Sequence, residues 1–91
     1  MKLVWAIVQS EDAGNALKAL TGKGYRTTRI NTVGGFLRRG NATLLLGTDD
    51  ERVEGAIDVI RSAVEARPAP EDENTRRATI FVLDSNRFIR I

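Results

Sequence analysis

YRTTRINTVGGFLRRGNATLLLG, residues 25–47, is the stretch on which the fold of this chain turns. Residues 25–33 are rich in β-branched side chains. They set Tyr25, Thr27, Arg29 and Asn31 on one face against Arg26, Thr28, Ile30 and Thr32 on the other, as a strand does. Neither face is wholly apolar, so this strand has a wet or functional side. Gly34-Gly35 permits positive φ and close backbone approach, and Gly40-Asn41 supplies a second turn signal. Residues 42–46 (ATLLL) then form another strand, closed by Gly47 and Thr48.

Working outward, residues 3–8 (LVWAIV) are almost continuously apolar, the pattern of a strand buried on both faces. Ser10 can cap a helix, Glu11 and Asp12 suit its positive end, and Ala13, Ala16, Leu17 and Leu20 fall on one stripe. A helix over about residues 11–23 is predicted, weakened by Gly14 and stopped at Gly24. Downstream, Asp49 or Asp50 can cap a second helix whose Val53, Ile57, Ile60 and Val64 recur at helical spacing. Arg67-Pro68 ends it, because the residue before proline is pushed out of the α region. Residues 67–76 read as a flexible, acidic connector, and residues 77–84 (RATIFVLD) as a fourth strand. In the tail, Phe88, Ile89 and Ile91 are expected to dock.

The resulting order, β-α-β-β-α-β over a single domain of residues 1–91, is the ferredoxin-like α+β fold: an antiparallel four-stranded sheet with two helices on one face. The other face is left uncovered. Trp5 either lies on that face, where an apolar patch favours self-association, or packs under the helices; the strand pattern allows both.

With 91 residues and no His or Cys, the chain has no His general base, no thiolate zinc site and no disulfide framework. What remains suits ligand binding at least as well as catalysis, and no spaced carboxylate set for a metal is present. Nothing approaches the roughly 20 apolar residues of a bilayer span, and residues 3–8 are too short for a signal peptide. A soluble, cytoplasmic, non-enzymatic protein with no membrane role is expected. The net charge of +2 conceals an asymmetry. Residues 22–48 hold Lys23, Arg26, Arg29, Arg38 and Arg39 and no acid.

That basic segment has the makings of a nucleotide site. Arg26 and Thr28, two apart on one strand face, offer a guanidinium fork beside a hydroxyl for phosphate and ribose oxygens. Phe36 offers a flat apolar surface, and Asn41 has a donor and an acceptor on one amide, as an adenine edge requires. Each has a duller reading too: the glycines and Asn41 as turn residues, Phe36 as core, Arg38 and Arg39 as a solvated hairpin tip.

The stretch TVGGFLRRGNATLLLG (residues 32–47) resembles the T-x-G-G-F-L-[RK]-x-G-N-x-T-x-x-x-G signature of the PII-like cyclic di-AMP receptor proteins. KLVWAIVQSED, GYRTTRI and ATIFVLD resemble that family's first, second and last strands. The resemblance implies a signal receptor, with no catalysis, that binds cyclic di-AMP at the subunit clefts of a homotrimer and reports to a protein target. It implies that Arg26 and Thr28 lie near phosphate and sugar, that Gly35, Phe36 and Leu37 line the base pocket, that Asn41 reads adenine, and that Gly47 lies close to it. Two departures stand out. The connector before the last strand is shorter than the family's, and Arg76-Arg77 replace a Gly pair. The arginines can then supply phosphate contacts in place of the loop, or the chain can be a trimeric scaffold whose ligand has changed or vanished. Two other classes share the topology but not the residues. An acylphosphatase-like enzyme needs an Arg between the first strand and helix, where QSEDAG is acidic. An RNA-recognition module needs aromatics on its middle strands, and no nucleic-acid polymer is expected as partner.

Overall fold

The computed structural model describes residues 1–30, 40–68, 76–87, 89 and 91. Strand β1 (Lys2–Gln9) leads directly into α1 (Ser10–Gly22), followed by β2 (Thr27–Ile30) and β3 (Asn41–Thr48). A 3₁₀ turn, Asp50–Arg52, opens α2 (Val53–Glu65), and β4 (Ala78–Asp84) completes the set. The sheet order is β2-β3-β1-β4, with β1 antiparallel to β3 and β4, and β2 antiparallel to β3. This is the expected ferredoxin-like arrangement.

The register divides the sheet into two unlike faces. Val4, Ala6 and Val8 of β1 lie opposite Leu46, Leu44 and Ala42 of β3, and all six are buried. Against them pack Ala13, Ala16 and Leu20 of α1 and Val53, Ala56, Ile60 and Val64 of α2. The α2 stripe is the one its spacing predicted, with Ile57 half-buried at its margin. The alternate residues, Leu3, Trp5 and Ile7, stand on the opposite face with Thr28, Leu45, Phe81 and Leu83. Trp5 therefore takes the first of its two readings. Its ring meets Phe81 edge-on, with centroids 6.4 Å apart and planes at 64°.

Several boundaries differ from the sequence reading, each for a local reason. Ser10 is the first helical residue and not the cap; Gln9 takes that position with no side-chain bond, because β1 runs straight into α1. No Asp49 or Asp50 side chain caps α2, since the 3₁₀ turn comes between. Gly47 and Thr48 do not close β3 but belong to it, paired with Leu3 and Lys2. Residues 31–33 of the predicted second strand lie outside the described residues. In the tail, Ile89 and Ile91 are exposed and do not dock, while Phe88 lies outside the described residues.

The α1 N-terminus is a junction. Arg67, just beyond α2, donates from Nε to Asp12 Oδ1 at 2.5 Å and from Nη2 to Gln9 Oε1 at 2.6 Å. Asp12 is only 2% exposed, so this pairing is what makes burial of its carboxylate tolerable. The same bond holds the Arg67 guanidinium charged beyond its ordinary range. Arg77 donates Nη1 to the carbonyls of Val64 at 2.9 Å and Arg67 at 2.7 Å, closing the C-terminal end of α2. Arg77 thus caps the helix through Nη1, a role its sequence position does not reveal.

Candidate functional site

Arg26 and Thr28 emerge from the end of the sheet where β1 begins. Tyr25, the residue before them, is drawn into the core, and strand alternation turns Arg26 and Thr28 outward onto the uncovered face. Thr28 lies opposite Leu45, and Gly47, two residues on, lies opposite Leu3. Together with Met1 and Leu46, these residues line a cavity of about 390 Å³. Its volume falls within the range of roughly 300–1,000 Å³ usual for small-ligand sites. An apolar wall of Met1, Leu3 and Leu45 faces a guanidinium and a hydroxyl, a division suited to a ligand with a flat apolar part and an anionic part. Among the described residues Arg26 forms no ion pair, whereas Lys2, Arg61 and Arg67 each hold a carboxylate.

The glycines now separate. Gly40 has φ +90°, so backbone geometry alone explains it, and its carbonyl accepts from the Ser10 amide at 2.7 Å. Gly47 has no positive φ. A Cβ built there would meet Met1 Sδ at 3.6 Å and the Lys2 carbonyl at 4.0 Å, both ordinary contacts. Neither conformation nor packing among the described residues requires glycine at 47. A glycine inside a strand leaves room there for another group to approach the backbone.

Three predicted site residues, Arg26, Thr28 and Gly47, are thus brought together. Asn41 is not with them. It starts β3, opposite Gln9, six residues from Gly47, a separation of about 20 Å along the strand. Gly35, Phe36 and Leu37 lie outside the described residues. Sequence reasoning missed Met1, Leu3 and Leu45 as cavity walls. The signal for Leu3 lies in the register that pairs it with Gly47.

A larger, shallower depression of about 670 Å³ runs between α1 and α2 on the far side of the molecule. Its floor is Ala19, Val59, Ala63 and Ala66, and its rim sets one cation, Lys23, against one acid, Asp58. Nothing there converges on a ligand of one charge, so the smaller cavity is the better candidate.

A ferredoxin-like domain whose uncovered face brings together an Arg without an ion pair among the described residues, a hydroxyl and an open glycine has the groups that a small anionic ligand requires. The family model of the cyclic-di-AMP receptor matches residues 1–71, and the chain belongs to that family. A solved structure described as a functionally unknown protein from Pediococcus pentosaceus ATCC 25745 is 35% identical, with a TM-score of 0.78. The match covers 99% of this chain and 96% of that one. Among the described residues no helix is long and apolar enough to cross a membrane.

Proposed function

We propose that this chain is a PII-like signal receptor, not an enzyme, that binds cyclic di-AMP in the cytoplasm at the subunit interfaces of a homotrimer. The observation that carries the reading is the convergence of Arg26, Thr28 and Gly47 on one cavity. Arg26 holds a phosphate, Thr28 donates to phosphate or ribose, and Gly47 lets the adenosine approach the backbone. With Asn41 about 20 Å from Gly47, one copy cannot grip a single purine with both. A neighbouring copy's Asn41 completes the site, alongside the base-pocket residues Gly35, Phe36 and Leu37. The uncovered face supports association: Phe81 is 50% and Leu83 44% exposed there, beside Trp5 and Ile7.

Calorimetric titration with cyclic di-AMP, cyclic di-GMP, ATP and AMP tests the proposal, repeated on Arg26→Ala and Asn41→Ala. Heat for cyclic di-AMP alone, with the affinity markedly weakened but still measurable in both variants, is expected, with a trimer by sedimentation. No heat with any adenine nucleotide refutes the ligand and leaves a trimeric scaffold.

A further inference from the structure

Among the described residues Arg26 is the one cationic side chain lining that cavity, yet the sheet does little to hold it. The ladder between β2 and β3 begins one residue later, at Thr27 opposite Leu46, and β2 is an edge strand. Beyond that ladder, Arg26 is also held from its N-terminal side. There the chain leaves α1 through a tight closing motif. Gly24, at φ +85°, donates its amide to Thr21 O at 3.0 Å, and Tyr25 donates its amide to Leu20 O at 2.9 Å. Tyr25 is 8% exposed and belongs to the same core cluster as Leu20.

Arg52, in the 3₁₀ turn before α2, closes over this segment. Its guanidinium lies 4.3 Å from the Tyr25 ring centroid, and its Nη2 donates to Lys23 O at 3.1 Å. In return, Tyr25 Oη donates to Arg52 O at 3.0 Å. A Cβ on Gly55 would come within 2.5 Å of that hydroxyl, so the glycine leaves the space the Tyr25 ring occupies. One side chain therefore grips the turn on both sides of Gly24 while lining no part of the cavity.

We infer that Arg52 is a positioning residue for the ligand site: by clamping Lys23 and Tyr25 it sets the backbone from which Arg26 reaches its anionic ligand. The role rests on the nucleotide-binding reading for its affinity consequence, but not for its effect on Arg26 itself.

A double-mutant cycle on cyclic di-AMP affinity tests it. Arg52→Ala is expected to weaken binding about 10-fold, the equivalent of about 1.4 kcal/mol, and to have less than about a 2-fold effect in an Arg26→Ala background. Equal losses in both backgrounds, or none in the first, overturn the inference. Arg52→Lys keeps the charge but not the planar fork that stacks and donates at once, and stays weakened; full recovery would assign the effect to charge and overturn it. Tyr25→Phe, which keeps the ring in the core and removes only the hydroxyl, gives a smaller loss of about 3-fold. It is the variant to use if Arg52→Ala does not fold, and no loss with it then overturns the inference. If the unsubstituted protein binds no nucleotide, the functional reading fails and ligand-free backbone ¹⁵N relaxation decides. The Arg26 amide order parameter is then expected to fall from about 0.85 to below about 0.6 in Arg52→Ala, and an unchanged value overturns the inference.

Discussion

Replacing Gly47 by Ala is expected to separate binding from stability, because the two make opposite demands on this position. Within the chain the added methyl is accepted: its nearest neighbours, Met1 Sδ at 3.6 Å and Lys2 O at 4.0 Å, lie at ordinary contact distance, and no positive φ has to be relaxed. Glycine inside a strand costs about 0.5–1 kcal/mol relative to alanine through the freedom it loses on folding. The variant should therefore be more stable by about that amount, raising Tm by roughly 2–8 °C for a chain of this size. The same methyl points onto the uncovered face, into the cavity shared with Arg26 and Thr28. A ligand seated against the Gly47 backbone would have to shift or overpack, at about 1–3 kcal/mol, which is roughly a 5- to 150-fold loss of affinity. Thermal melting and calorimetric titration on one preparation, with sedimentation to verify the oligomer, measure both quantities. Unchanged affinity would refute the placing of the ligand at Gly47. A Tm lowered by several degrees would refute the claim that the chain's own packing does not need glycine there.

Other substitutions probe the scaffold. Arg67→Met strands the buried Asp12 carboxylate without its partner. Because Arg67 is itself partly solvated, the loss of stability is expected to fall short of that for a fully buried pair, read as a lower urea midpoint at unchanged slope. Gly55→Ala should destabilise by about 1–3 kcal/mol by pushing the Tyr25 hydroxyl off Arg52, whereas Gly14→Ala, with nothing within 4 Å of its new Cβ, should stabilise α1 by about 1 kcal/mol. Equal effects in melting curves would contradict this contrast. The Lys2–Asp84 pair predicts a pH dependence: the hydrogen bond from Lys2 lowers the Asp84 pKa and raises that of Lys2. The Asp84 contribution is present above about pH 4 and lost as pH falls through its lowered value; that of Lys2 is present below about pH 10 and lost as pH rises through its raised value. In urea titrations the stability difference between the unsubstituted protein and Asp84→Asn should shrink toward zero on acidification. A difference independent of pH would exclude this linkage.

Local physics makes much of this protein legible from its residues alone. The α2 stripe of Val53, Ile60 and Val64, the apolar β1 and the turn at Gly24 follow from side-chain periodicity and from the few backbone states each residue allows. The exclusion of His and Cys chemistry follows from composition, and the likeness of residues 32–47 to a receptor signature follows from their order. The roles of residues whose partners lie far away in the chain did not. That Arg77 closes the end of α2 appears only in the fold, and Asp12 reads simply as a helix-start acid until Arg67, 55 residues on, covers it. Trp5 could face either way until pairing with Leu45 and Phe81 chose the uncovered side. Likewise, Arg26, Thr28 and Gly47 are separate polar and small residues in sequence. Only strand register brings them to one cavity while sending Asn41 to the far end of β3, because pairing across a sheet is a long-range choice that no local propensity encodes.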